Sequence, residues 1–225
     1  TADILTTYEL IQLASEEQDQ EILTPPISGR DRDWANSQQI AATAGTLLNN
    51  TQPFNLTPLG KATITTDSVT LNETLDTAEL HIAQRYQTAD GRPLTLTHTH
   101  LFRLGNTRWL WSPPEDDFWG EYIRTEDEDS YLDLIYREQD APLIEQIQPT
   151  LEQLAASLCE DTPQLNLPCP DNLQIRITFE TDPAVLTEIH TPHFWLKTDG
   201  RLHLHLPTPT LLGLPTTDTD LEQYT

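Results

Sequence analysis

The sequence predicts an α+β fold in two parts: two helices packed on a curved antiparallel sheet, then a smaller α/β domain. Three observations carry this. Apolar residues recur at helical spacing in 3–22 and 31–48, the period falls to two from about 62 to 111, and a strand–helix–strand alternation follows residue 130. The first domain is expected to span 1–120 and the second 121–225.

In the first helix, Ile4, Leu5, Tyr8, Ile11 and Leu13–Ala14 form the apolar stripe, with Asp3 available as a cap. TPPISG breaks it, and a second helix over 31–48 runs through Trp34, Ile40, Ala41, Ala44 and Leu47–Leu48, with Asp31 and Asp33 near its positive end. KATITTDSVTLN then reads as a hairpin turning at Thr66-Asp67, with Ile64 opposite Val69 and Ala62 opposite Leu71. For AELHIAQRY and PLTLTHTHLFRL, cross-strand partners must share a face. A three-residue Ala89-Asp90-Gly91 loop meets that condition and sets Tyr86 opposite Leu94, Ile82 opposite His98 and Leu80 opposite His100. A Gly105-Asn106 turn would place Phe102 opposite Trp109 and His100 opposite Trp111. Pro113 and Pro114 end the sheet, because proline cannot donate to a ladder, and Phe118-Trp119 then reads as the apolar seal of a seam between domains.

In the second domain SYLDLIYRE is a strand and 140–161 a helix capped by Asp140, its Ile144, Ile147, Leu151, Leu154 and Leu158 spaced 3-4-3-4 around a bend at Pro149. NLQIRITFE is a strand with Ile175, Ile177 and Phe179 on one face. HFWLKTDGRLHLHLP is a hairpin whose Thr198-Asp199-Gly200 loop sets Phe194 opposite Leu204, Leu196 opposite Leu202, Trp195 opposite His203 and His193 opposite His205. A Pro/Thr-rich tail follows.

Two helices followed by an antiparallel meander ending in Trp-Leu-Trp resemble the NTF2-like (cystatin-like) fold over about the first 120 residues. That resemblance implies a pocket, an enzyme or an interaction module, since the fold hosts all three. More faintly, YLDLIYREQDAPLIEQIQPTLEQLAASL, LQIRITFE and LPTPTLLGLP resemble the region ahead of the zinc motif in gluzincin-type (peptidase MA-like) domains. The His-Glu-x-x-His of that family does not occur in this sequence, so no catalytic residue carries over. Tandem arrangements of this kind imply the outward-facing part of a membrane-anchored protein.

Thirty-six acids against 12 bases give a formal charge of −24, and neither half offers a basic stripe. A phosphate backbone would be repelled, which excludes nucleic-acid binding; the same field opposes docking on anionic lipid. No stretch approaches the ~20 apolar residues of a membrane helix, so the visible chain does not insert directly. The chain begins Thr-Ala and contains no methionine, so a processed precursor is expected. Cys159 and Cys169 bracket a short proline-containing segment and are expected to form a disulfide, which implies an extracytoplasmic, oxidising location. The N-x-Thr sequons at Asn49, Asn55 and Asn72 matter only where glycosylation occurs.

Two groups of residues are candidate sites. His193, His203 and His205 would cluster on one face of the terminal hairpin and could hold a divalent metal, neutral imidazole being a ligand for zinc, nickel or copper. Gln84, Tyr86, His98, His100 and Trp111 would share the inward face of the first sheet with Leu80, Ile82, Leu94 and Trp109, an apolar setting with few polar groups of the kind small ligands use. No nucleophile elbow, P-loop or dinucleotide fingerprint occurs, and no catalytic or cofactor-binding residue is assigned. The leading expectation is therefore a non-catalytic extracytoplasmic module, working through a protein partner or by self-association as a surface or filament subunit. The alternatives are a degenerate or truncated metallohydrolase-like protein and a small-ligand-binding NTF2-like pocket.

Overall fold

A computed structural model describes residues 1–48, 55–60, 62, 64–125, 130–161, 174–187, 195–196 and 201–214. The fold is α+β, with two five-stranded sheets, each covered by helices on one face.

The first helix, α1 (Ala2–Glu17), buries Ile4, Thr7, Tyr8, Ile11 and Ala14. It stops short of the predicted residue 22 because Gln18 turns left-handed, at φ 54°. A separate short helix, α2 (Gln20–Leu23), is capped by the Asp19 carboxylate accepting from Glu21 N at 2.7 Å, and it swings Leu23 into the core. α3 (Arg32–Ala44) is capped by Asp31, which accepts from Trp34 N at 2.9 Å, and it ends at the left-handed Gly45. Its buried face is Ser37, Gln38, Ala41 and Ala42, while Ile40, expected in the stripe, is 44% exposed.

The first sheet comprises β1 (Thr57–Pro58), β2 (Val69–Leu71), β3 (Thr77–Gln87), β4 (Pro93–Leu104) and β5 (Trp109–Ser112). The expected hairpin over 62–71 is not formed. Thr66–Ser68 make a 3-10 turn, and β2 pairs instead with β3, Val69 opposite Leu80 and Leu71 opposite Ala78. Ala62 and Ile64 still pack on the core without being in a strand. β3 and β4 pair as predicted, with Leu80 opposite His100, Ile82 opposite His98 and Tyr86 opposite Leu94. The loop closes through Thr88 N to Arg92 O at 2.9 Å, and Gly91 adopts φ 87°, a conformation that glycine takes without strain. The β4–β5 register is two residues away from the prediction: Phe102 faces Trp111 and Leu104 faces Trp109. A four-residue turn, Gly105 N to Arg108 O at 2.8 Å, replaces the two-residue one. A shift of two preserves the face, so both tryptophans remain in the core with Leu80, Ile82 and Phe102 beneath α1 and α3. Thr7 Oγ1 donates to Trp109 O at 3.1 Å and ties α1 to β5.

A one-turn helix, α4 (Asp116–Trp119), leads into the second sheet. There β6 (Tyr122–Thr125) runs antiparallel to β7 (Leu132–Arg137), and α5 (Ala141–Asp161), continuous through Pro149, crosses to the parallel strand β8 (Ile175–Glu180). β9 (Trp195–Leu196) and β10 (Leu202–Pro207) complete the order β6-β7-β8-β10-β9. The two described pairs of that last hairpin, Leu196 with Leu202 and Trp195 with His203, match the prediction, whereas Phe194 and His193 lie outside the described residues. Leu132, Leu134, Tyr136, Ile175, Ile177 and Phe179 form the core under Ile144, Ile147 and Leu151 of α5. The opposite face is polar. There Asp133 accepts from Arg124 Nε at 3.0 Å and Nη2 at 2.9 Å, from Arg176 Nε at 2.7 Å and from Arg201 Nη1 at 2.9 Å. Burial works against its charge, but the bonds from Arg124 and Arg176 and their positive charge outweigh it and hold the carboxyl below its ordinary value.

A final helix, α6 (Pro209–Leu212), binds the two sheets together. Asp140, expected to cap α5, is fully buried and serves this segment instead: it accepts from Thr210 N at 2.8 Å, Thr210 Oγ1 at 2.7 Å and Thr208 Oγ1. Next, Gly213 O accepts from Thr97 N of β4 at 2.7 Å. A Cβ on Gly213 would lie 2.7 Å from the His98 ring, and its φ is 74°, so the position requires glycine on both counts.

Gly213→Ala is expected to cost about 1–3 kcal/mol, from the left-handed backbone and the imidazole clash, read by urea denaturation together with loss of hydrogen-exchange protection at Thr97. Asp140→Ala leaves two threonine hydroxyls and an amide without their acceptor and is expected to cost roughly 2–4 kcal/mol in the same denaturation measurement.

Candidate functional site

A cavity of about 320 Å³ lies between the first sheet and the segments 181–186 and 210–214. Its volume is within the ~300–1,000 Å³ typical of small-molecule sites. One wall is α3, which presents Trp34, Gln38 and Ala41 at positions i, i+4 and i+7, a single helical face. The floor is His98 and His100 of β4, residues i and i+2 on the inward face of the strand. Trp111 and then Phe118-Trp119 continue the wall, and Pro183, Leu186, Thr210 and Leu211 close it from above.

Aromatic rings set the shape. Trp34 meets Trp111 edge-on with centroids 5.0 Å apart, His100 meets Trp111 edge-on at 5.7 Å, and the two imidazoles are near-parallel at 6.1 Å. Tyr8 of α1 lies 5.3 Å behind His100, and burial pushes its hydroxyl pKa well up. Trp119 is buried beside Phe118, at a centroid distance of 5.0 Å. The Trp-rich segment is thus wall rather than exposed platform.

Burial sets the charge. Desolvation lowers His98 to about 4, and desolvation together with the neighbouring His98 lowers His100 to about 3. Both imidazoles are therefore neutral at pH 7, each with one N–H donor and one acceptor nitrogen. None of the described lining residues carries a formal charge.

The polar complement is incomplete. Gln38 is 5% exposed, lines the cavity and has no hydrogen bond from its amide among the described residues. Neither ring nitrogen of His100 has a partner among the described residues. These atoms nonetheless keep some accessible surface, since Arg137 Nε is the only wholly enclosed side-chain nitrogen or oxygen there without a partner. Both residues line the cavity.

Of the five pocket residues read from the sequence, His98, His100 and Trp111 line the cavity. Gln84 does not; its amide donates to Gly60 O at 2.8 Å and Arg85 O at 2.9 Å. Tyr86 joins Leu56, Leu96 and Leu214 in a separate apolar cluster, where burial raises its pKa. Gln38, Trp34 and the residues of the roof were not anticipated. A glutamine four residues after a tryptophan on a helix is a readable signal, but the apolar stripe through Ile40 points to a different face from the one that is buried. The roof carries no local signal, because its residues lie far along the chain from the helix and strand that they cover.

His203 and His205 do project from β10, but their surroundings differ. His203 is 4% exposed in a cross-strand row with Arg176 and Trp195, and His205 Nδ1 is 2.5 Å from Glu180 Oε1. No group of three His, Cys, Asp or Glu suited to a metal occurs among the described residues; His193 lies outside them. The expected Cys159–Cys169 bridge likewise falls outside, since Cys169 is not described. No helix of the described residues is long and apolar enough to cross a membrane. Comparison with protein-family models, characterised proteins and solved structures returned no match.

Stability is expected to fall as pH drops from the ordinary histidine value of 6.5 toward 4 and 3, because the unfolded chain takes up protons that His98 and His100 refuse in the fold. Urea midpoints between pH 7 and 5 measure this slope, and a His98→Gln/His100→Gln chain should lose most of it.

Proposed function

We propose that the protein is a non-catalytic binder of a small molecule held in the cavity between the first sheet and the 181–186 and 210–214 segments. Of the readings open at the sequence level, this is the one favoured by a specific observation: a buried Gln38 amide and unpartnered His100 nitrogens facing a largely apolar cavity. A few polar groups converging on a mostly apolar cavity of this volume are the arrangement by which small-molecule sites fix their ligands. The same geometry supports reading the first half as NTF2-like: helices followed by a meander, with His98, His100 and Trp111 of that sheet lining the cavity. An ectodomain that senses or carries the molecule is the setting we infer from the acidic sequence and its two closely spaced cysteines, Cys159 and Cys169.

Trp34, Trp111 and Trp119 line the cavity and report on its occupancy. Titration with naphthalene-ring probes is expected to quench tryptophan emission saturably. Leu211→Trp, which fills the cavity from the roof, should abolish the quenching while leaving the far-UV circular dichroism spectrum unchanged. Equal quenching in both chains would reject this reading.

A further inference from the structure

We propose that the cavity selects an uncharged, mostly apolar molecule carrying a hydroxyl group, with Gln38 and His100 as the residues that recognise the hydroxyl. This deepens the ligand-binding reading and rests on it.

The absence of charge comes first. The protein as a whole carries a formal charge of −24, yet none of the described lining residues is Asp, Glu, Lys or Arg. A carboxylate or phosphate would meet no cation among the described lining residues and an opposing field outside the cavity. A cationic ligand, though attracted by that field, would lose its hydration with no carboxylate to replace it. Only a neutral ligand escapes both penalties.

The hydroxyl follows from the inventory of partners. Neutral His100 offers one donor and one acceptor nitrogen, and the Gln38 amide offers two donors and one acceptor. A group that both donates and accepts uses this mixed complement, whereas a hydrocarbon leaves it unpaired and an ether or ketone cannot donate. Trp34, Trp111, Phe118, Leu186 and Leu211 give the cavity apolar surface that suits a ring or a branched hydrocarbon body, and the other polar lining groups, Gln139 and several threonine and serine hydroxyls, are likewise neutral donors and acceptors. Sites of this kind discriminate strongly against the analogue lacking the polar group, because the buried partners are then stranded.

The test compares three probes of one ring system on the full chain at pH 7.5, by tryptophan quenching: 2-naphthol, naphthalene and 2-naphthoate. The hydroxyl probe should bind about tenfold or more tighter than the hydrocarbon, the ratio a single well-made hydrogen bond supplies, and tighter than the carboxylate by at least as much. In Gln38→Met and in His100→Phe, 2-naphthol affinity should drop toward that of naphthalene, with naphthalene binding retained as the sign of an intact cavity. Equal affinity of 2-naphthol and naphthalene, or tighter binding of 2-naphthoate, overturns the hydroxyl inference and leaves the cavity reading standing. No saturable binding of any of the three removes the cavity reading itself.

Discussion

Along β4, Leu96, His98, His100 and Phe102 alternate with threonines and a leucine, and the pairing of Leu80 with His100 fixes which set faces the helices. Once Leu80 is in the core, a side-chain period of two leaves the imidazoles no outward option. They are held under α1 and α3, where desolvation keeps them neutral. The cavity, its lack of charge and the close approach of Gly213 to His98 all descend from that one register.

The distribution of charge follows a similar economy. With 12 lysines and arginines against 36 acids, cations are scarce, yet Arg124, Arg176 and Arg201 converge on the single Asp133. That arrangement consumes positive charge on the far face of the second sheet and keeps β6, β7, β8 and the start of β10 in fixed relation. Loss of Asp133 would leave three guanidinium groups without their shared carboxylate, a repulsion that solvent screens in part at Arg124 and Arg201. None of these residues lines the cavity, whose described lining carries no charged side chain.

Local rules made most of the elements legible. Alternation and Asp-Gly loops gave the β3–β4 register residue by residue, and the two described pairs of the terminal hairpin. Where local signals competed, tertiary packing decided. The β4–β5 turn took four residues instead of two, Val69–Leu71 paired across to β3 instead of back on itself, and Gln18 went left-handed so that Leu23 could reach the core. Asp140 shows the limit most clearly. Its position before a helix reads as an N-cap, but its carboxylate serves Thr208 and Thr210, almost seventy residues away, and no periodicity carries that information. Of the site, the strand residues His98, His100 and Trp111 were legible from parity, while Gln38 and the roof depended on helix rotation and on long-range docking.

The cavity is consequently not a property of the first sheet alone. Its floor and one wall come from residues 34–119, but its closure comes from a 3-10 turn after β8 and from α6, both anchored through the second sheet. Two contacts set their height: Asp140 gathers Thr208 and Thr210, and Gly213 rests against His98 while its carbonyl receives Thr97 N. A molecule held there as proposed would touch both sides of this junction, and by linkage it would favour their docked arrangement by the free energy of its own binding. Gln38 and His100 line the same junction, so on that reading recognition of the molecule and docking of the roof would draw on one set of contacts.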